Sequence, residues 1–177
     1  MAHNSEAPGD EAVAVQAKVP EPISHIIGGA PVHPMHKHTF VASLRSYGHH
    51  VCGATLIAPR RALTAAHCID PSTPIMRYSL VIFQHFLDSG GTLNPSHPCS
   101  QTLDVIAAHR HPLYSGAAND FTSDLSVLEV EPVRSLGQSC ATLVDYPALD
   151  GAAPTLRASG TSHAGESAIA MGWGATS

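Results

Sequence analysis

From Ile26 onward, the chain consists of short apolar runs rich in Val, Ile, Leu and Thr, separated by clusters of Gly, Pro, Asn and Ser. Apolar runs of this length predict β-strands, and the clusters between them predict turns. No stripe with helical periodicity is longer than about two turns. The pattern therefore predicts an all-β domain, a sandwich or a barrel. The predicted strands cover residues 40–47, 50–57, 62–65, 77–84, 103–109, 125–130 and 168–173.

The two ends of the chain have a different pattern. Residues 1–25 are rich in Glu, Asp and Pro, and their one apolar patch, residues 12–15, is too short for the core of a signal peptide. This composition predicts a disordered leader or propeptide over residues 1–25. Residues 146–167 are rich in Ala, Gly, Pro, Ser and Thr, which predicts a connection between structural units.

Composition and charge exclude some classes of function. The chain has 177 residues with a net charge of -5, and its 9 Lys and Arg residues are scattered, so we expect no nucleic-acid partner. No apolar run approaches the roughly 20 residues of a membrane-spanning helix, so we expect no membrane insertion. A hydrophobic content of 44% is ample for a core.

The most informative segment runs from Cys52 to Cys68 and consists of a strand, a Pro turn, a second strand and then His67 beside Cys68. A bridge between Cys52 and Cys68 would staple this hairpin at its ends, contribute on the order of 3 kcal/mol and fix the position of His67. Within it, Leu63-Thr-Ala-Ala-His67-Cys68 resembles the active-site histidine motif of the trypsin and chymotrypsin family of serine peptidases.

Other segments resemble landmarks of that family, in the same order along the chain. Ile26-Ile-Gly-Gly resembles the segment that is freed when the zymogen is cut, which implies Ile26 as the activated N-terminus, although His25 stands where Arg or Lys is usual. The remaining landmarks are His50-Val-Cys-Gly, His111-Pro-Leu-Tyr, Asp124-Leu-Ser-Val-Leu and Met171-Gly-Trp-Gly.

The resemblance implies a chemistry for two of these residues. A serine hydroxyl is a poor nucleophile at neutral pH, so an imidazole must take its proton and a carboxylate must hold that imidazole in the right tautomer. By resemblance His67 is the general base and Asp124 its orienter. Asp120 is a rival for the second role, but the apolar strand after Asp124 favours Asp124. The implied activity is endopeptidase cleavage of protein or peptide substrates in an extracellular, oxidising compartment.

The resemblance also implies an antiparallel β-barrel fold of the chymotrypsin-like type, with the first barrel complete and the second only begun. We expect a leader at 1–25, the first barrel at 26–145, and a linker with the first strand of an incomplete second barrel at 146–177. The catalytic serine is absent, because no Gly-Asp-Ser-Gly-Gly segment is present. Ser167, in Gly-Glu-Ser-Ala, lacks the glycines of an oxyanion hole. The alternative function is a noncatalytic homologue that acts as a secreted binding or inhibitor module. The family resemblance does not reveal a substrate preference.

The other histidines and cysteines carry weaker signals. His33, His36 and His38 are close enough in sequence to suggest a metal site and hence a histidine-rich metal-binding protein, but no cysteine or carboxylate nearby completes a tetrahedron, so we expect no metal and no cofactor. The partners of Cys99 and Cys140 stay open: they pair with each other or with cysteines of a second half.

Overall fold

The structure, a computed structural model, describes residues 29–30, 32–87, 97–117, 122–134, 140–147 and 167–173. Within these ranges it contains six β-strands and three short 3₁₀ helices. The strands are β1 Val41–Ser46, β2 His49–Ala58, β3 Arg61–Thr64, β4 Tyr78–Ile82, β5 Gln101–Arg110 and β6 Ser126–Val130. The 3₁₀ helices are Ala66–Cys68, Ile75–Arg77 and Cys140–Leu143.

The six strands form one closed antiparallel barrel in the order β1-β2-β3-β6-β5-β4, with β4 pairing back onto β1. Closure leaves none of these six strands with a free edge. The prediction of an all-β antiparallel barrel is therefore confirmed.

Local sequence explains why the chain reverses between β1 and β2. Tyr47 and Gly48 form a two-residue turn in which both have positive φ, 51° and 80°. Positive φ at both central residues is the type I′ arrangement, whose twist matches that of the flanking strands. Glycine adopts this conformation without a steric penalty, so the Tyr-Gly pair fixes the register in which Ser46 faces His49.

Alternating apolar residues fill the interior of the barrel. In β5, Gln101, Leu103 and Val105 are buried while the residues between them are exposed, as expected for a strand with one face on the core. The largest fully buried apolar side chains are Leu44, Leu56, Leu80, Ile82, Leu103, Leu128, Val81 and Val130.

Six of the predicted strands match β1 to β6 within a few residues at each end. The predicted strand at residues 168–173 is wrong, because residues 167–173 form no strand within the described chain. This segment instead lies against the barrel through Trp173, whose indole N–H donates to the His85 carbonyl at 3.1 Å and whose ring contacts His50 edge-on. The predicted leader and nearly all of the predicted 146–167 connection lie outside the described residues.

Disulfide bonds bear on the compartment, because they form and persist in oxidising environments. The structure contains two disulfides, Cys52–Cys68 and Cys99–Cys140, and the second ties the start of β5 to the 3₁₀ helix Cys140–Leu143. No helix in the described ranges is long and apolar enough to cross a membrane.

Candidate active site

The pairing of β3 with β6 brings His67 and Asp124 to the same end of the barrel. The two strands are antiparallel, and Thr64 at the end of β3 faces Ser126 at the start of β6. His67 follows β3 directly in the 3₁₀ helix Ala66–Cys68, and Asp124 directly precedes β6. The end of β3 and the start of β6 therefore lie side by side, and so do the residues just beyond them.

Asp124 accepts two hydrogen bonds from the same residue. Its Oδ2 accepts from the ring Nδ1–H of His67 at 2.6 Å, and its Oδ1 accepts from the backbone N–H of His67 at 2.9 Å. A carboxylate that holds both the ring and the backbone of one histidine restricts rotation of the imidazole. The arrangement fixes the ring orientation as well as its position.

The electrostatics of the pair favour an ionised carboxylate. The side-chain hydrogen bond from His67 lowers the pKa of Asp124, and backbone hydrogen bonds from His67 and Ala66 act in the same direction, against the opposing effect of burial. An ionised carboxylate only accepts hydrogen bonds, so Nδ1 of His67 must carry the ring proton. In the neutral ring Nε2 then carries the free lone pair, which is the tautomer a general base needs.

The His67 and Asp124 side chains differ in exposure, as a general base and the carboxylate that orients it require. The His67 side chain keeps 52% of its accessible surface and the Asp124 side chain 14%. The imidazole is therefore open to a reacting group, while the carboxylate is largely shielded behind it.

The position of His67 is held from three sides. The Cys52–Cys68 disulfide attaches the 3₁₀ helix to β2, with a sequence separation of 16. Ala66 beside it is fully buried, and the Thr64 hydroxyl donates to the Gly53 carbonyl at 2.9 Å. These contacts join the histidine segment to the hairpin that precedes it.

The position of Asp124 is held by the segment that follows β5. The backbone N–H of His111 donates to the carbonyl of Leu125 at 2.8 Å, so the residue next to Asp124 is tied to the end of β5. On the other side, Ser123 has a φ of 57°, and Leu125 N–H donates to its carbonyl at 2.8 Å. This tight turn positions Asp124 just before β6.

Cys52, His67 and Cys68 also place their potential ligand atoms within 4.8 Å of one another. The two sulfurs are bonded to each other, and a metal binds cysteine as a thiolate. With the disulfide formed, this group therefore does not supply the ligands of a metal centre.

An open cleft of about 540 Å³ adjoins Asp124. The segment 167–173 contributes one wall of the cleft through Ile169, Met171 and Gly172, and β2, β3 and the residues around β1 contribute others. Ile169 is 79% exposed, so this wall presents apolar surface. The residues lining the cleft include Phe40, Val41, Gly53, Thr55, Leu63, Asp124, Leu125 and Met171.

The structure brings together His67 and Asp124, and separately Cys52 and Cys68. Asp120 and Ile26 lie outside the described residues. Ser167 is exposed on the segment 167–173. Of the three histidines considered for a metal, His33 is exposed and the His38 ring contacts Phe40.

Sequence reasoning missed two contacts that support the site. One is the hydrogen bond from the backbone N–H of His67 to Asp124, because no residue type signals a backbone donor. The other is the contact between Ser43 Oγ and His50 Nδ1 at 2.8 Å across the β1–β2 hairpin. The strand register does not indicate that second pair, because Ser43 faces Gly53 and His50 faces Arg45.

The chain is similar to several known proteins. The family model described as Trypsin matches residues 26–177. Granzyme M of Homo sapiens is 36% identical over 117 residues, which cover 64% of this chain and 40% of that protein. Kallikrein-11 of Homo sapiens is 30% identical over 156 residues, which cover 87% of this chain and 47% of that protein.

Among solved structures, neuropsin, a serine protease expressed in the limbic system of mouse brain, matches with a TM-score of 0.45 and 26% identity over 58% of this chain and 41% of that chain. The chain spans 40% of granzyme M and 47% of kallikrein-11. Since the family model covers residues 26–177, the chain belongs to the trypsin family of serine peptidases.

Proposed function

We propose that this chain carries the general base of a serine endopeptidase, with His67 as the base and Asp124 as the residue that orients it. The observation that supports this most directly is the pair of hydrogen bonds from His67 to Asp124, 2.6 Å from the ring and 2.9 Å from the backbone. Membership of the trypsin family supports the class of reaction.

In the proposed mechanism, Nε2 of His67 accepts the proton of a serine hydroxyl as the oxygen attacks the peptide carbonyl. Asp124 stays ionised, keeps the ring proton on Nδ1 and stabilises the imidazolium that forms. His67 then returns the proton to the leaving amine. The nucleophile and the oxyanion donors are assigned to no residue of this chain, because the sequence contains no Gly-Asp-Ser-Gly-Gly segment.

The same proposal gives a division of the chain. Residues 26–145 form the first barrel, residues 146–177 lead toward a second barrel, and residues 1–25 form a leader whose removal frees the amine of Ile26. The order of β1 to β6 within residues 41–130 supports the assignment of the first barrel. The two disulfides support an extracellular, oxidising compartment.

The proposed substrates are proteins or peptides. This chain is similar to granzyme M and kallikrein-11 and belongs to the trypsin family, which supports a peptidase substrate class. The open cleft beside Asp124 supports a substrate that lies along the surface of the barrel.

A serine-directed fluorophosphonate probe tests the proposal. Antibodies raised against the 177-residue chain recover the natural protein from secretions, and the probe should label that protein while leaving the 177-residue chain unlabelled. Labelling of the 177-residue chain itself would contradict the proposal, because it would show that this chain contains a reactive serine. In the natural protein, His67→Ala should lower peptide hydrolysis by on the order of 10⁶-fold. Asp124→Asn should lower it by roughly 10⁴-fold.

The lack of a Gly-Asp-Ser-Gly-Gly segment in this sequence supports a second candidate function. In this alternative the barrel is a noncatalytic homologue that binds a partner or acts as an inhibitor. It predicts that the natural protein is not labelled by the probe, although it is folded and oxidised. That outcome, together with unchanged behaviour of a His67→Ala variant, would replace the peptidase proposal with the binding one.

A further inference from the structure

Three histidines from separate parts of the chain meet at one end of the barrel. His36 precedes β1, His85 follows β4 and His97 precedes β5; we refer to them as the three-histidine cluster. The ring centroid of His36 lies 5.6 Å from that of His85 and 5.2 Å from that of His97. Sequence spacing does not group them, so the fold itself brings them together.

Packing of aromatic rings explains these distances but leaves one atom unexplained. Ring pairs in contact have centroids roughly 4.5–7 Å apart whether or not a ligand binds between them. The Nδ1 atom of His36, however, is buried and has no hydrogen-bond partner among the described residues. A buried ring nitrogen without a partner is unfavourable unless something else satisfies it.

The backbone at His36 is also held in an uncommon conformation. Its φ is 60°, which lies in the left-handed region that non-glycine residues rarely adopt. In this conformation the His36 ring contacts the rings of His85 and His97. Such an arrangement is found where the surrounding structure determines the side chain's position.

The ring spacing suits tetrahedral metal coordination. With metal–nitrogen bonds of about 2.0 Å, the centres of two imidazoles on a tetrahedral ion lie roughly 5 Å apart, close to both observed spacings. Among the described residues, the ring nitrogens of the three-histidine cluster do not all lie within 4.8 Å of one another, as the ligand atoms of Cys52, His67 and Cys68 do. The rings of the cluster must therefore turn to converge on an ion. All three side chains are partly exposed, which gives an ion a path of entry. The His97 ring stacks on Phe83 and the His85 ring meets Phe86 edge-on, so metal binding requires these ring contacts to shift.

The protonation of the cluster agrees with this geometry. Burial lowers the pKa of His36, and the neighbouring His97 and His85 lower it further. Burial also lowers the pKa of His85. The neutral imidazole is the form that binds a metal.

We propose that the three-histidine cluster binds a divalent transition-metal ion, with water in the remaining coordination position. Imidazole is a ligand for zinc, copper and nickel and a poor one for magnesium or calcium, which defines the class of ion. The bound ion satisfies Nδ1 of His36 and ties the segment before β1 to the segments after β4 and before β5. This site is independent of the peptidase proposal and shares no residue with it.

Metal binding changes one observed hydrogen bond. Nδ1 of His97 accepts from the backbone N–H of Cys99 at 3.2 Å, so the proton of the neutral ring lies on Nε2. Coordination through Nε2 moves the ring proton to Nδ1, and coordination through Nδ1 displaces the Cys99 donor. Either way the Cys99 amide loses its partner, which gives a spectroscopic signature of this particular site.

Calorimetric titration of the oxidised 177-residue chain with Zn²⁺, and separately with Ni²⁺, tests the proposal. We expect saturable one-to-one binding that weakens at least about tenfold in each of His36→Ala, His85→Ala and His97→Ala. Because the chain contains 13 histidines, the double variant His33→Ala/His38→Ala and the single variant His67→Ala serve as matched controls, and both should keep wild-type affinity.

Nuclear magnetic resonance gives the second readout. Addition of Zn²⁺ should shift the resonance of the Cys99 amide in the wild type and leave that resonance unchanged in His36→Ala. If His36→Ala does not fold, His85→Ala takes its place as the non-binding variant. Unchanged affinity in the three cluster variants, no binding by the wild type, or loss of binding in His33→Ala/His38→Ala would overturn the proposal.

Discussion

Replacing Cys52 and Cys68 together by alanine tests whether their disulfide positions His67 or only stabilises the barrel. The bridge joins β2 to the 3₁₀ helix that contains His67, so its removal frees that helix from the neighbouring strand. The second disulfide, Cys99–Cys140, provides a matched control, because it joins the segment just before β5 to a different helix.

Loop length gives the expected magnitudes. A bridge with a sequence separation of 16 restricts the unfolded chain by about 3 kcal/mol. A bridge with a separation of 41 restricts it by about 4 kcal/mol. The control replacement, Cys99→Ala/Cys140→Ala, should therefore lower the free energy of unfolding by slightly more than Cys52→Ala/Cys68→Ala.

Two measurements on the 177-residue chain separate stability from positioning. Guanidinium unfolding reports the global free energy, and hydrogen exchange of the His67 backbone amide reports the bond to Asp124. We expect Cys52→Ala/Cys68→Ala to speed exchange at His67 by at least about tenfold more than at the Leu44 amide in the barrel. The control pair should speed exchange at both amides equally.

Exchange at the His67 amide that follows global stability in both double variants would contradict a positioning role for the Cys52–Cys68 disulfide. Faster exchange at His67 in the control pair than in Cys52→Ala/Cys68→Ala would contradict it as well. In either case the hairpin and Asp124 would position the histidine without the disulfide.

Other perturbations have expected outcomes with simple readouts. The hydrogen bond from His67 lowers the pKa of Asp124, so the pair stabilises the fold above about pH 4, and this stabilisation is lost as pH falls through the lowered pKa. Asp124→Asn should therefore flatten the acid limb of a pH titration followed by circular dichroism. An unchanged acid limb would contradict this prediction. Burial lowers the pKa of His50, so its contribution is complete above about pH 6.5 and is lost below it. Melting temperature should accordingly fall between neutral pH and pH 5, and less so in His50→Gln; equal falls in both proteins would refute the assignment. Leu44→Ala should destabilise the barrel by about 2–5 kcal/mol in urea, whereas Leu113→Ala, 74% exposed, should change stability by less than about 0.5 kcal/mol; similar losses would count against the core assignment.

The barrel strands could be predicted because each is a short apolar run between clear turn signals. The strand β5 alternates buried and exposed residues, and Gly48 suits the positive φ of the turn between β1 and β2. The prediction at residues 168–173 failed because an apolar run indicates a strand only where another strand pairs with it. In the described chain, Trp173 contacts a carbonyl and a histidine ring instead.

The candidate site divides in a similar way. His67 and Asp124 could be singled out because each lies in a local motif, and both motifs adjoin strands that pair. The grouping of His36 with His85 and His97 could not, because it depends on where three loops end after the barrel closes. For the same reason the sequence left the partners of Cys99 and Cys140 open, whereas the structure joins them to each other.

The hydrogen-bond register of β3 and β6, more than any loop, determines whether His67 meets Asp124. A slip of one residue moves Asp124 along the strand by about 3.3 Å and turns the side chains of β6 to the opposite face. Such a shift would break both the 2.6 Å and the 2.9 Å contacts. The register is fixed in the core, where Ala62 faces Leu128 and both are fully buried, so a slip would also expose the apolar face of β6. The interactions that close the barrel are therefore the same ones that align the proposed base with its carboxylate.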